Sequence, residues 1–315
     1  MNISIVIPNY NGEELLEKNL PKVIEAISEY NGGEIEFVIV DDGSTDDSIE
    51  KIKNQKSKIK NTNVKLKIIE NSKNLGFSST VNRGVKESMG EIIILLNTDV
   101  IPEKNFLGPL LLHFNDPNVF AVGCMDKSIE DGKVILRGRG IGRWERGFFV
   151  HKRGEVDKKD TLWVNGGSGA FRKSIWDKIG GFNELYNPFY WEDIDLSYRA
   201  QKMGYKILFE PKSIVVHEHE KGIIKKKMSL SKIKTVAYRN QIIFTWLNIT
   251  DLDWQFQHFF WLPYHLFKSL IHRNREFLIG FFQALILLPK IIKTSSKIQK
   301  LFVKKDKEII GDFLE

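Results

Sequence analysis

The chain has 315 residues, 42% of them hydrophobic, one cysteine and a formal net charge of +7. That is enough apolar material for a full α/β core with an appendage. A lone cysteine, Cys124, excludes an internal disulfide and fits a reducing cytoplasm; the N-terminus enters an apolar strand pattern at once, so no secretory signal is expected. The charge is unevenly spread: residues 1–222 carry 31 Lys+Arg and 33 Asp+Glu, whereas residues 223–315 carry 16 and 7. The two segments are therefore −2 and +9, and the C-terminal one is expected to face something anionic.

Ile3-Ser-Ile-Val-Ile7 is a nearly continuous apolar run, the pattern of a strand buried on both faces. It stops at Pro8-Asn-Tyr-Asn-Gly12, and residues 13–27 read as a helix. A second buried strand at 35–40 ends in Asp41-Asp-Gly-Ser-Thr-Asp46, with another helix from about residue 47. A third strand is predicted over 64–70. Asn74-Leu-Gly76 then leads into a helix containing Val81, Val85 and Met89. The fourth strand, 91–96, is the most apolar and terminates in Asn97-Thr-Asp99. Such alternation implies a doubly wound, mostly parallel α/β sheet with helices on both faces, and a ligand crevice outside the carboxyl ends of the strands. No GxGxxG or GxxxxGK[ST] occurs in these turns, so dinucleotide and Walker-type phosphate binding are poorly supported. Several acids at one edge repel one another unless a cation or hydrogen-bond donor sits between them, and a divalent ion carrying a diphosphate meets that need.

After Pro102 the alternation breaks down. Residues 126–160 are rich in Gly and charge and read as a mobile loop over the crevice rather than an RNA-tracking segment, since sustained aromatic interleaving is missing. Leu162 to Phe171 contains Gly166-Gly-Ser-Gly-Ala170, small residues that admit close approach of a ligand or backbone. A short helix at 174–179 and a Gly180-Gly-Phe182 turn precede Phe189-Tyr-Trp-Glu-Asp-Ile-Asp-Leu-Ser-Tyr-Arg199. That stretch puts Glu192 and Asp193 behind an aromatic cluster in the first turn of a helix whose stripe is Leu196, Ala200 and Met203. Carboxylates there are expected to stay ionised beside the positive helix end. As ordinary first-turn acids, Asp193 and Asp195 would simply cap the helix. Two further strands are predicted at 205–209 and 214–216, the latter leading to His217-Glu-His219.

From Lys225 the character changes. Residues 254–267 and 277–289 are uncharged runs of 14 and 13 residues, short of the roughly 18 needed to cross a bilayer. Pro263 is expected to kink the first. Basic residues flank both, and Trp246, Trp254 and Trp261 suit a membrane interface. The alternative is an ordinary helical subdomain packed on the main domain.

Taken together, these residues resemble the family 2 glycosyltransferases of GT-A fold, especially the bacterial rhamnosyltransferase-like branch. The resemblance is carried by Ile5-Val-Ile-Pro-Asn-Tyr-Asn11, Val40-Asp-Asp-Gly-Ser-Thr-Asp46, Asn74-Leu-Gly-Phe77, Leu95-Leu-Asn-Thr-Asp99, Gly166 to Ala170, Gly180-Gly-Phe182 and Trp191 to Arg199, in the family's order. It implies a GT-A domain over residues 1–222, with a nucleotide-sugar half at 1–100 and an acceptor half at 101–222, followed by a basic amphipathic helical region at 223–315. It also implies an inverting transfer of a sugar, dTDP-rhamnose favoured and a UDP-sugar next, to a glycan or lipid-linked saccharide in cell-surface polysaccharide synthesis.

By the same resemblance Pro8, Asn9, Tyr10, Asp41, Asp42, Asn74, Gly76, Asn97 and Asp99 bind the donor, Asp42 holding the nucleobase. Asp99 looks like the last acid of the DxD motif that carries Mg²⁺ or Mn²⁺ and the diphosphate. His217, or else His219, completes the metal site. Asp193 is similar to the general base with Glu192 beside it, while Trp191, Gly167 and Ser168 line the acceptor site. Asn97 departs from the pattern, replacing the first acid of the motif, and a neutral ligand there weakens or rearranges metal binding. The expected setting is cytoplasmic and peripheral on the inner face of the membrane, with an anionic lipid surface as partner, no nucleic acid, and oligomers allowed. A receiver domain would be far shorter, a sugar-nucleotide pyrophosphorylase would need a Gly-rich basic phosphate loop after the first strand, and a degenerate sugar-binding protein would not retain Asp42, Asp99 and Asp193 together.

Overall fold

The computed structural model describes residues 1–28, 30–59, 64–130, 132–217, 228–311 and 313. Four parallel strands, β1 (Ile3–Asn9), β2 (Ile35–Asp41), β3 (Val64–Glu70) and β4 (Ile92–Leu96), make one half of a nine-stranded sheet in the order β3-β2-β1-β4. Their near-unbroken aliphatic sequences follow from burial on both faces, which holds for all of β2 and β4 and for β1 except Pro8. Helices α1 (Glu13–Ile27), α2 (Ser48–Ile59) and α3 (Phe77–Lys86) form the crossovers. Helix α3 ends before Met89, which lies outside it and is 71% exposed. Gly90 presses against the Ser4 backbone, so the chain must leave the helix to pass there.

The second half of the sheet is mixed. Strand β5 (Val100–Pro102) lies at the far edge, and α4 (Leu107–Leu112) leads into β6 (Val119–Glu130). The segment expected to be a mobile loop is instead built of hairpins: β7 (Lys133–Arg137) folds back on β6, and β8 (Gly140–Glu145) pairs with β9 (Phe148–Arg153). The glycines that suggested flexibility are placed for structure: Gly140 and Gly142 lie in β8 where a side chain would strike Trp163 and Phe149, and Gly147 sits in a turn. Arg146 and Gly147 take φ of 47° and 79°, the two positive angles of a tight hairpin connection. Strand β10 (Ser168–Arg172) inserts antiparallel between β4 and β6, followed by α5 (Lys173–Ile179) and α6 (Glu192–Lys202). The two strands predicted at 205–209 and 214–216 are one, β11 (Lys206–His217), with a register shift between Glu210 and Ile214. Cys124 is buried on β6, where burial pushes its thiol up to about 12.

The C-terminal region forms α7 (Leu230–Asn248), α8 (Leu252–Ile271), α9 (Arg275–Ile286), α10 (Leu288–Ile298) and α11 (Asp306–Gly311). Pro263 lies within α8, which continues on both sides of it. The boundary expected at residue 222 falls outside the described residues. The helices beyond it share a core with the domain before it: Phe244, Leu247, Ile309 and Ile310 pack in one cluster with Phe149, Tyr186, Trp191 and Tyr198. Through that core runs a buried ion pair between Lys202 on α6 and Asp306, at 2.8 Å and with both side chains fully shielded. Asp306 also accepts hydrogen bonds from the Tyr198 hydroxyl and from the backbone N–H groups of Thr250 and Asp251.

Replacing Asp306 leaves a buried ammonium without its partner, which typically costs about 3–5 kcal/mol. Asp306→Ala is expected to lower the urea midpoint accordingly, and Lys202→Met added to it to recover part of the loss. An unchanged midpoint in Asp306→Ala would show that the tail does not bear on the stability of α6.

Candidate active site

The turns at the carboxyl ends of β1, β2 and β4 meet the N-terminus of α6 around a cavity of about 460 Å³. Of the residues singled out from the sequence, Pro8, Asn9, Tyr10, Asp42, Asn74, Gly76, Asn97, Asp99, Gly167, Glu192, Asp193 and His217 line it. Asp41, Ser168 and Trp191 do not, and His219 lies outside the described residues.

Asp41 works one step behind the wall. Its carboxylate accepts from the Ser44 N–H and hydroxyl and from Asn9 Nδ2 at 2.7 Å, which closes the turn after β2 and fixes Asn9. Asn9 Oδ1 remains buried without a hydrogen-bond partner. Asp42 is 4% exposed and accepts from the backbone N–H groups of Leu75 and Gly76 and from Asn71 Nδ2. A carboxylate has about four acceptor sites, so Asp42 organises the 74–76 turn and keeps capacity for one more donor. Gly76 sits there at φ 89° with the Asn187 side chain where a Cβ would be. Asn187 in turn donates to Leu75 O and Ser79 Oγ.

The Asn97–Asp99 turn leaves the sheet centre and delivers β5 to its edge. There Val100 pairs with His217 of β11, which sets Asp99 Oδ2 at 3.3 Å from His217 Nε2. Behind the ring, Asp126 Oδ2 lies 3.0 Å from Nδ1. Burial alone would push the imidazole down, but the hydrogen bonds and charges of Asp126 and Asp99 outweigh it and carry His217 to about 9. Sequence reasoning missed Asp126, because the β6–β11 pairing that places it is nonlocal. An acid and an imidazole side by side are the kind of donors a divalent ion such as Mn²⁺ takes; their 3.3 Å spacing here is that of an ion pair. Among the described residues no third His, Cys, Asp or Glu joins them. The Asn97 backbone N–H donates to Gly167 O at 2.9 Å, and any side chain at 167 would strike the Asn97 amide.

On the opposite wall, Tyr190 and Trp191 take φ of 69° and 76° in succession, the left-handed region that costs bulky residues on the order of 1–3 kcal/mol each. Asn240 of α7 holds them there, donating through Nδ2 to the carbonyls of Tyr186, Phe189 and Tyr190, while Arg239 donates to those of Tyr186 and Asn187. Sequence reasoning did not mark either residue. Trp191, expected to line the acceptor site, is turned into the second core at 5% exposure, against Phe149, His151 and Phe244. Phe189 and Tyr190 line the cavity instead. Ser168 is likewise buried, in the ladder with Leu96.

Helix α6 begins with the paired acids. Asp193 Oδ1 accepts from the Ile194 N–H at 2.8 Å. Glu192 is 7% exposed and its Oε2 has no partner. Neither acid is held in the ordinary carboxylate range by the helix end. Burial pushes Asp193 up to about 6, with the Ile194 and Gly166 N–H groups restraining it. Burial and then the neighbouring Asp193 push Glu192 well above its usual value. Desolvation therefore exceeds the field of the helix terminus. Asp195 is structural: it is fully buried, paired with Arg199 at 2.7 Å and bonded to Tyr186 and Asn248.

Residues 4–180 match the family model described as glycosyl transferase family 2. A dolichol-phosphate mannosyltransferase of Pyrococcus furiosus is 31% identical over 210 residues, which cover 67% of this chain and 52% of that protein. Among solved structures, GalNAc-T7 with UDP, GalNAc and Mn²⁺ superposes with a TM-score of 0.62 at 20% identity, over 78% of this chain and 48% of the other. Staphylococcus aureus TarS 1-349 with UDP-GlcNAc gives 0.59 at 18% identity, over 96% and 84%. At such identities the structural likeness speaks for the fold alone, and the chain spans about half the length of the curated relatives it matches. The family model covers more than half of the chain, and the sheet carries the strand-end crevice expected of the fold: the protein belongs to glycosyl transferase family 2, on a GT-A fold.

Proposed function

We propose that the protein is an inverting glycosyltransferase that moves a sugar from a nucleotide-sugar donor to a glycan or lipid-linked saccharide. One observation carries this reading: a single cavity brings the buried acid pair of α6 together with Asp42, Asp99 and His217 from the strand ends. Donor and acceptor chemistry thus have separate walls. Pro8, Asn9, Tyr10 and Asp42 form the nucleobase and ribose side, where the unpartnered Asn9 Oδ1 and the spare acceptor capacity of Asp42 suit N–H and O–H donors. Asn74, Gly76 and Asn97 line the path to the diphosphate, and Gly167 keeps that path open beside Asn97.

Asp193 is the base. As the acceptor hydroxyl attacks the anomeric carbon, its proton passes to the Asp193 carboxylate, the bond from that carbon to the diphosphate oxygen breaks, and the configuration inverts. Glu192, whose carboxyl burial and the neighbouring Asp193 push up, offers an O–H to the acceptor when protonated and then spares Asp193 a second negative neighbour. Asp99 and His217 would hold Mg²⁺ or Mn²⁺, which neutralises the departing diphosphate. Asp126 orients the imidazole from behind. The rhamnosyltransferase-like motifs favour dTDP-rhamnose as donor with UDP-sugars next, and the basic tail favours work at the inner face of a membrane in cell-surface polysaccharide synthesis.

Asp193→Asn is expected to lower the transfer rate by about 10²–10⁴-fold while leaving donor affinity by titration calorimetry unchanged. In the parent, the rate should climb with pH through about 6, as Asp193 loses its proton and becomes able to accept another. A variant that transfers at the parental rate, or a parental profile flat through that range, would remove Asp193 from the reaction.

For the cation, Asp99→Ala is expected to weaken donor binding and to abolish its response to Mn²⁺. Asp126→Asn, which loosens the ring without touching the ion, should reduce Mn²⁺ affinity by roughly 10–100-fold. Donor affinity that responds to Mn²⁺ equally in the parent and in Asp99→Ala would place the ion elsewhere.

A further inference from the structure

Helix α8 is apolar on two opposite sides. Its inner side is packed: Trp254 stacks on Trp144 at 4.8 Å, the His258 Nδ1–H donates to the Gly147 carbonyl while Nε2 accepts from the Trp246 indole N–H, and Ser269 is buried. Its outer side carries Phe256, Phe259, Phe260, Phe267, Leu270 and Ile271, which are 72, 79, 77, 64, 63 and 61% exposed. Their spacing of three and four places them in one stripe along the helix. Helix α9 adds Phe282 and Ile286 at 59% and 78%. Isolated exposed apolar residues need no explanation, but a continuous aromatic row on a helix already packed on its other side marks a contact surface.

The charges around this row select the partner. No charged residue occurs from Trp254 to Phe267, whereas residues 268–300 hold seven Lys+Arg and one acid, Glu276. Lys268, Arg273 and Arg275 stand exposed at the α8–α9 turn, and Lys290 and Lys293 stand exposed on α10. Two copies of the chain joined through this face would bring their basic segments together with almost no acids between them. An anionic bilayer meets both features, taking the phenyl rings below its headgroups and the ammonium and guanidinium groups among its phosphates. Among the described residues no single helix is long and apolar enough to cross a membrane, and the pair Arg275–Ile286 and Leu288–Leu301 is bent by 66°. We propose that the outer side of α8 and α9 is a docking face for an anionic lipid bilayer, entered in the plane of the interface. This deepens the peripheral setting given above but rests on the surface, not on the reacting groups, so vesicle binding and catalysis fail independently.

The test is sedimentation of the full chain with vesicles of equal parts phosphatidylglycerol and phosphatidylcholine, and with phosphatidylcholine alone. The parent should pellet with the anionic vesicles at low salt, less at high salt, and weakly with the neutral ones. Phe259→Ser with Phe260→Ser, at positions too exposed to support the core, should lower the partition coefficient by at least about tenfold with an unchanged thermal melt. Lys290→Glu with Lys293→Glu should lower it by roughly tenfold or more on anionic vesicles only and flatten the salt dependence. A parent that stays in the supernatant at low salt overturns the proposal, as does binding that is indifferent to the Phe pair. So does a concentration-dependent dimer in sedimentation velocity that the Phe variant dissolves, which would give the face to a second copy.

Discussion

A buried ion pair, Lys202 with Asp306, ties helix α6 to the C-terminal helices with both side chains fully shielded. A shielded ammonium is tolerated only with its partner in place, so α6 and the last helix are held in one relative position. Helix α6 in turn carries Asp193 and Glu192 at one end and the Asp195–Arg199 pair in its middle. Arg199 also donates to the carbonyls of Ile179 and Gly181, which fixes the helix against the glycine turn that follows α5. The acids that face the cavity are therefore the buried first turn of an element anchored by the Lys202–Asp306 and Asp195–Arg199 pairs. That rigidity lets two adjacent carboxyl groups stay desolvated instead of turning outward to water.

The cation wall is governed by a different balance. Asp99, His217 and Asp126 form a line of acid, imidazole and acid, and the ring's affinity for a proton is raised because its two neighbours outweigh its burial. If the ion proposed above binds at Asp99 and His217, it must displace that proton. With Asn97 neutral where the family's motif has an acid, the proton and the proposed metal would compete at a site of modest negative charge.

Much of this was legible in the sequence, and the failures have physical causes. The first four strands and the acids at their ends stood out because buried parallel strands read as aliphatic runs that stop abruptly at polar turns. The acid pair of α6 stood out because it follows an aromatic cluster at a helix start. What escaped was nonlocal. Strand β7 lies at the margin of the main sheet and β8 with β9 forms a separate two-stranded ribbon; both carry charged, partly exposed side chains, so their strands lack the alternation that marks a half-buried sheet. Asp126 gains its meaning only from the β6–β11 register, and Asn240 only from a loop some fifty residues earlier in the chain. Trp191 was misplaced because two successive left-handed residues reverse the backbone, a conformation that neither aromatic side chain advertises.

The tail's hold on the loop before α6 also bears on when the protein becomes competent. The carbonyls of Phe189 and Tyr190 wait for Asn240, 51 and 50 residues later, and Lys202 waits for Asp306, 104 residues later. During synthesis the parallel strands and their acidic turns emerge first and can begin to pair, but the wall bearing Asp193 has no support until those residues leave the ribosome. The order of the chain thus puts the strand-end turns of the crevice early and the contacts that support the α6 wall late.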